Sequence, residues 1–331
     1  MTTSLNRRAF LNSAIGAAAG ASVLGAPAFV RAQGDVPRVT YVTLASGFNV
    51  ILNEYMAAKR FDLKNGVNID VINSYVSVSN YYNDLTAGTF ELGIGAWDTF
   101  ALRRASGVPL KLVCTVNSYD ILRFVAMKQG PKSVQDLKGQ TVGAIRASGA
   151  YRVAGLALKQ FHDLEFEKDI QVQNVESPVA AVTQVLAGNV VAGLTWEPNI
   201  SVGESKEPNL VAFHNVGEDY RKNLNLDLPY FGFALREEAE KRHPGVAKRI
   251  SAAMRDCIEG VSANLDEAVA LAAPKMRVAP EVLKTAFTSK RLSFKTVAMQ
   301  DAAGQENVRR AADYFVKNGL LKQPIDDSFF A

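Results

Sequence analysis

The stretch from Gln140 to Phe161 reads QTVGAIRASGAYRVAGLALKQF. An apolar run ends at Ile145, and the small residues Ala147, Ser148, Gly149 and Ala150 follow. A helical period then begins with Val153, Leu156, Ala157, Gln160 and Phe161. The pattern predicts a strand that turns sharply into a helix. The first N–H groups of such a helix lack partners within it and attract an anion or a polar oxygen. Gly149 allows a ligand to approach the backbone, and Ser148 either caps the helix or offers its hydroxyl. Ser148 does not read as a nucleophile. Its context, Arg-Ala-Ser-Gly-Ala, lacks the first glycine of a nucleophile elbow, and no histidine falls in the matching arrangement. Arg146 ends the strand beside this turn and could pair with a carboxylate or sulfonate, or face solvent. Arg152, inside the helix, reads as a surface residue, and Arg123 is a third cationic candidate.

Other strand ends share this character. They are Gly47-Phe48-Asn49, Tyr75 with Ser77 and Ser79, Ala96-Trp97-Asp98-Thr99, Asn117-Ser118-Tyr119, Ser148-Gly149-Ala150-Tyr151 and Trp196-Glu197. Each combines an aromatic residue with a polar one, the mixture with which pockets hold organic molecules, although strand ends are also aromatic for packing. Trp97 and Trp196 are the only tryptophans, and if both strand ends face one cleft their indoles stand on opposite walls. Glu197, before Pro198, either accepts a hydrogen bond from a ligand or favours a helix start on its own account. Enzyme chemistry finds little support. His162, His214 and His243 stand in no metal-ligand spacing and read as surface or capping residues. Gly93-Ile94-Gly95 lacks the third glycine of a dinucleotide fingerprint, and no phosphate-loop Gly-Lys-Ser/Thr occurs. No catalytic residue, metal or cofactor is expected.

The elements that must position these residues alternate between strand and helix. Strand signals cover 38–45, 68–74, 91–96 and 110–116, with helical periods at 50–60, 80–87 and 99–106 between them. A second series has strands at 123–128, 140–145, 170–175, 191–196, 210–215 and 230–237, with helices at 150–163 and 179–187. Beyond Ala239 amphipathic helix dominates, punctuated by Pro244, Pro274, Pro280 and Gly319. Alternation of this kind implies an α/β fold, with mainly parallel sheets covered on both faces. The join Asn117–Leu122 is short and suggests a hinge rather than a tether. In an open parallel sheet, ligands bind beyond the carboxyl ends of the strands, where the candidates lie.

The chain has 331 residues and a net charge of +4. Its first 32 residues carry Arg7, Arg8 and Arg31 without an acid, and the remainder has 34 basic residues against 33 acidic ones. No basic stripe for nucleic acid remains. Arg7-Arg8, followed by Phe10-Leu11, an Ala/Gly-rich run and small-residue cleavage positions after Ala32 or Ala28, resembles a twin-arginine export signal over 1–32. An ordinary export signal or an uncleaved anchor are the alternatives. Cys114 and Cys257 could pair in an oxidising compartment or stand apart as buried apolar residues.

Three segments carry a family resemblance: AGTFELGIGAWDTFALRRASGVPLKLV, SVQDLKGQTVGAIRASGAYRVAGLALK and AVTQVLAGNVVAGLTWEPN. Together, over roughly 36–325, they resemble the periplasmic substrate-binding proteins of ABC importers for nitrate, sulfonates, taurine and related organic ligands. Val191 stands where the family has an acid, a departure that reads as structural. The resemblance implies a two-lobed, type II periplasmic-binding-protein fold, each lobe a doubly wound, mainly parallel sheet, with a helical tail. Lobe 1 would comprise 36–121 plus 238–331, and lobe 2 would comprise 122–237. It further implies a monomeric periplasmic receptor that binds a small organic anion (a sulfonate, carboxylate or related heterocycle) and delivers it to an ABC permease with its ATPase. A ligand-sensing protein serving a receptor is the alternative. The family's thiamin-pyrimidine branch fits less well, since its cysteine-rich segment has no counterpart here. If the leader routes by the twin-arginine pathway, the Arg7→Lys, Arg8→Lys double variant leaves precursor in the cytoplasm. Normal export of that variant, read by fractionation, would exclude this route.

Overall fold

The computed structural model describes residues 36–331. Arg7, Arg8 and both cleavage positions lie outside the described residues. The first series contains β1 (Arg38–Leu44), α1 (Asn49–Lys59), α2 (Phe61–Lys64), β2 (Asn68–Tyr75), α3 (Val78–Ala87), β3 (Leu92–Ala96), α4 (Trp97–Ala105) and β4 (Leu110–Thr115). A second series contains β5 (Leu122–Met127), β6 (Thr141–Ala144), α5 (Gly149–His162), β7 (Gln171–Asn174), α6 (Pro178–Leu186), β8 (Ala192–Trp196), α7 (Asn199–Lys206), β9 (Leu210–Asn215) and α8 (Val216–Leu224). After β10 (Phe231–Arg236) come α9 (Glu237–Arg242), α10 (Val246–Ala263), α11 (Leu265–Met276), α12 (Pro280–Thr288), β11 (Val297–Ala298) and α13 (Ala302–Lys317).

Strand and helix order follow the sequence pattern closely, and the shifts have local causes. Ser77 Oγ accepts from Asn80 N–H, so α3 starts at Val78. Helix α4 starts at Trp97 rather than Thr99, with Asp98 in its first turn, where the helix dipole favours an acid. Strands β3 and β8 are buried at every position, as strands covered on both faces must be.

The first sheet has the order β11-β4-β10-β3-β1-β2, and the second β7-β6-β8-β5-β9. In the first, β1 pairs in parallel with β2 and β3, and β10 lies antiparallel between β3 and β4. The second repeats this plan. There β6 pairs in parallel with β7 and β8, and β5 lies antiparallel between β8 and β9. The inserted strand of each sheet is the one by which the chain arrives from the other series. The expected second lobe, running to 237, included β10, but β10 belongs to the first sheet. A chain arriving at the carboxyl ends of parallel strands has to run back against them.

The two crossings pair with each other. Tyr119 N–H donates to Leu228 O at 3.0 Å, and Tyr230 N–H to Asn117 O at 2.9 Å. The return is therefore at 225–230 rather than near Glu237. The tail covers the first sheet's layers. Helices α10 and α11 pack on α1, and Phe315 of α13 stacks on Trp97 with ring centroids 5.5 Å apart. Cys114 in β4 and Cys257 in α10 are buried and unpaired. No helix among the described residues is long and apolar enough to cross a membrane.

Insertion of β10 leaves no room beside its backbone. A Cβ on Gly232 would lie 2.5 Å from Cys114 O and 3.0 Å from Leu112 Cδ1. Gly232→Ala is expected to lower stability by about 1–3 kcal/mol, the usual range for overpacking. A wild-type urea midpoint for this variant would contradict the tight packing of β10 on β4.

Candidate ligand site between the two sheets

Residues after β1 and β3 meet residues after β6 and β8. A Cβ on Gly149 would lie 2.5 Å from Asp98 Oδ1, 2.6 Å from Ala96 Cβ and 3.0 Å from Tyr119 Oη. Only glycine lets the start of α5 approach the start of α4 this closely. Gly47, with a φ of 100°, brings the turn after β1 against Trp196. A Cβ there would lie 3.2 Å from the indole Nε1. Farther along, Val78 N–H donates to Glu176 O at 3.1 Å.

The negative group at the start of α5 is the protein's own. Asp98 is 1% exposed. Its Oδ1 accepts from Tyr119 O–H at 3.0 Å, and its Oδ2 from Arg152 Nη2 at 2.6 Å and Nε at 3.2 Å. Arg152 also donates to Thr99 Oγ1. The surface placement expected for Arg152 is corrected. Three residues after Gly149, it lies on the same face of α5, and its guanidinium crosses to the first sheet. Burial works against the Arg152 charge, but Asp98, together with Tyr119 and Tyr82, leaves its pKa raised.

A second pair mirrors the first. Glu197 follows Trp196 of β8 as Asp98 follows Trp97 beyond β3. Its buried Oε1 accepts from Arg291 Nε at 2.6 Å and Ser201 O–H at 3.1 Å, and its Oε2 from Ser201 N–H at 3.1 Å. Arg291 also reaches Glu204, at 3.1 and 2.5 Å. Burial pushes the Glu197 carboxyl up, while Arg291 and Ser201 pull it back down. Arg291 belongs to the segment whose Phe294 packs on Phe48, with ring centroids 5.5 Å apart, so this bridge also joins the layers of the two sheets.

Arg123 lies near the start of β5, in register with Thr195 and Asn215. Its Nε is buried and has no hydrogen-bond partner among the described residues. Burial and the like charge of Arg291 both lower its pKa. Aromatic groups line the crossing beside these polar ones. Tyr119 stacks on Tyr230 at 3.9 Å, and Trp196 packs against Tyr230 and Phe231 at 6.2 and 5.6 Å. Asn117 Oδ1 accepts from Phe231 N–H at 3.1 Å, while its buried Nδ2 has no partner among the described residues.

The structure therefore joins Gly47 to Trp196, and Ala96, Asp98 and Tyr119 to Gly149. Other candidates are engaged elsewhere. Trp97 is wholly buried under Phe315, and its indole N–H donates to Pro229 O at 2.7 Å. It belongs to the core, so the two tryptophans do not face each other across a site. Arg146 turns to its own sheet's edge, pairing with Glu167 at 2.8 Å and donating to Val172 O. Tyr75 O–H donates to Asp84 of the following helix, and Asn49 Nδ2 donates back to Thr43 Oγ1 and Leu44 O. Phe48 packs on Phe231 and Phe294, and Ala150 is buried. Ser148 Oγ accepts from Tyr151 N–H and donates to Ile145 O, and Ser77 caps α3, so both serine hydroxyls are local caps. Sequence reasoning misses Arg291, whose partner Glu197 is 94 positions away. A groove of about 360 Å³ between α4 and Leu321–Phe329 shares none of these residues.

The NMT1/THI5 like family matches residues 53–268. The chain belongs to this family. A Brucella abortus (strain 2308) relative, named as a proposed binding protein, is 26% identical over 218 residues, 65% of this chain. The chain spans 66% of that relative's length, just under two thirds. Among solved structures, the Escherichia coli periplasmic aliphatic sulphonate binding protein SsuA matches with a TM-score of 0.68 and 18% identity, over 88% of this chain and 96% of that one. The alkanesulfonate-binding protein SsuA from Xanthomonas axonopodis pv. citri, bound to MOPS, matches with a TM-score of 0.71 and 16% identity, over 86% and 94%. These likenesses show that the family member described here has the periplasmic binding protein fold.

The two tryptophans should now behave differently. Trp97→Ala is expected to cost about 3–5 kcal/mol of stability, as for a buried aromatic. Trp196→Phe should remove most of any ligand-induced change in intrinsic fluorescence, because Trp196 packs at the crossing. Equal melting temperatures for Trp97→Ala and the wild type would contradict the core placement of Trp97.

Proposed function

We propose that this protein is the exported, periplasmic ligand-binding component of an ABC importer. It captures a small organic anion between its two sheets and presents it to a membrane permease with its ATPase, acting as a monomer and carrying out no covalent chemistry. One observation carries the reading: a carboxylate occupies the start of α5. Beside Gly149, Asp98 holds two of the donors that an anionic ligand head requires, a guanidinium and a phenol. A sulfonate or carboxylate ligand exchanges with Asp98, taking Arg152 and Tyr119 as the lobes part and close again. Arg123, with its unpartnered Nε, supplies further positive charge, and Trp196, Tyr230 and Tyr119 provide the apolar wall. Family membership and the likeness to sulfonate-binding proteins support the same substrate class.

Calorimetry with aliphatic sulfonates, carboxylates and the matching amines tests the reading. Asp98→Asn removes the internal competitor and is expected to tighten anion binding by about tenfold, equal to about 1.4 kcal/mol. Gly149→Ala places a methyl group between the two helix starts and should abolish closure, which small-angle scattering reads as an unchanged radius of gyration on adding anion. Loss of all anion binding in Asp98→Asn, or amine binding that depends on Asp98, would overturn the anion assignment.

A further inference from the structure

His162, His214 and Asp219 come from three separate elements of the second sheet's layer. His162 is the last residue of α5, His214 lies near the end of β9, and Asp219 is in the first turn of α8. Their ligand atoms all lie within 4.8 Å of one another. Asp219 Oδ2 is 2.8 Å from His214 Nε2 and 3.1 Å from His162 Nε2. The second contact is not a hydrogen bond, for His162 Nε2 is a buried atom without a hydrogen-bond partner among the described residues. A single carboxylate oxygen thus faces two imidazole nitrogens and satisfies one. We propose that these three side chains form a site for a zinc-class divalent transition-metal ion.

Bonds of about 2.0–2.2 Å at near-tetrahedral angles place ligand atoms about 3.3 Å apart. The two carboxylate–imidazole separations, 2.8 and 3.1 Å, need to grow by only a few tenths of an ångström to admit an ion, and the two imidazole nitrogens lie within 4.8 Å of each other. Two imidazoles and a carboxylate suit zinc, and water completes a fourth position. The side chains are 21%, 17% and 11% exposed, so an ion can enter without unfolding the layer. Spacing along the chain hides the set, because His162 and His214 are brought together only where α5 packs against α8, the helix that follows β9 directly. The site lies at the far end of α5 from Gly149, about 20 Å along its axis at 1.5 Å per residue. A bound ion would tie the carboxyl end of α5 to β9 and α8, leaving its other end free to make the contact with Asp98.

The test uses protein purified without a polyhistidine tag and stripped with chelator, titrated with zinc chloride. One equivalent should bind, with a rise in melting temperature. His162→Gln and His214→Gln should each weaken binding by at least about 10–100-fold, the effect known even for residues behind the ligands. His243→Gln should bind as the wild type does. Should a variant fail to fold, imidazole NMR of the wild type reads the same ligation, with His162 and His214 resonances moving on zinc addition and that of His243 staying in place. Zinc binding unaffected by the His162 and His214 variants, or no saturable binding, would overturn the proposal.

Discussion

Two reciprocal ion pairs organise the contact between the sheets. In each sheet the third strand of the repeated plan leads into a tryptophan and an acid, Trp97-Asp98 after β3 and Trp196-Glu197 at the end of β8. Each acid is almost wholly withdrawn from water and paired with an arginine from the opposite layer: Asp98 with Arg152, Glu197 with Arg291. A buried carboxylate that loses its cation costs about 3–5 kcal/mol, so neither acid can stay buried alone. The approach of α4 to α5, the glycine at position 149 and the Tyr119 hydroxyl are all consistent with keeping these charges paired once the layers meet.

Topology explains why the pairs form where they do. Both sheets place a reversed strand between the third and fourth parallel ones, and in both it is the strand that has just crossed over. The crossings are therefore bound to the carboxyl ends of the parallel strands, the edge at which helix starts present free N–H groups. Exchange of the polar contacts at that edge would involve only side chains and helix ends, but each freed charge must find a new partner, because a buried carboxylate without its cation is costly. The apolar core of each layer stays untouched by such an exchange.

The same local sequence produced different outcomes in its two copies. Trp97 is capped by Phe315 and satisfied by Pro229 O, so it stabilises the first layer. Trp196 lies against Tyr230, Phe231 and Gly47 at the crossing. Both are buried, and what separates them is what covers them: Phe315 of α13 stacks on Trp97, while Tyr230 and Phe231 of the returning chain cover Trp196.

Periodicity and turn residues were enough to read the alternation of elements, the two series, the start of α5 and the crossing at 117–122, since each depends on residues within about one helix or strand. Ser148 was legible as a cap or a ligand donor, and Gly149 as a point of close approach, though what approaches it is Asp98 and Ala96 rather than a ligand. Arg152 was misplaced although its spacing from Gly149 is visible, because its partner is 54 positions away in the chain. Arg291 is 94 positions from Glu197 and follows a helix with no local signal of a charged partner. Only the path of the chain decided that β10 joins the first sheet, that Trp97 is covered, and that His162 and His214 share one carboxylate. By itself the sequence determined which segments become strands and helices, because that preference is short-ranged; the tertiary structure decided which distant charges meet, because pairing depends on the geometry of both layers together.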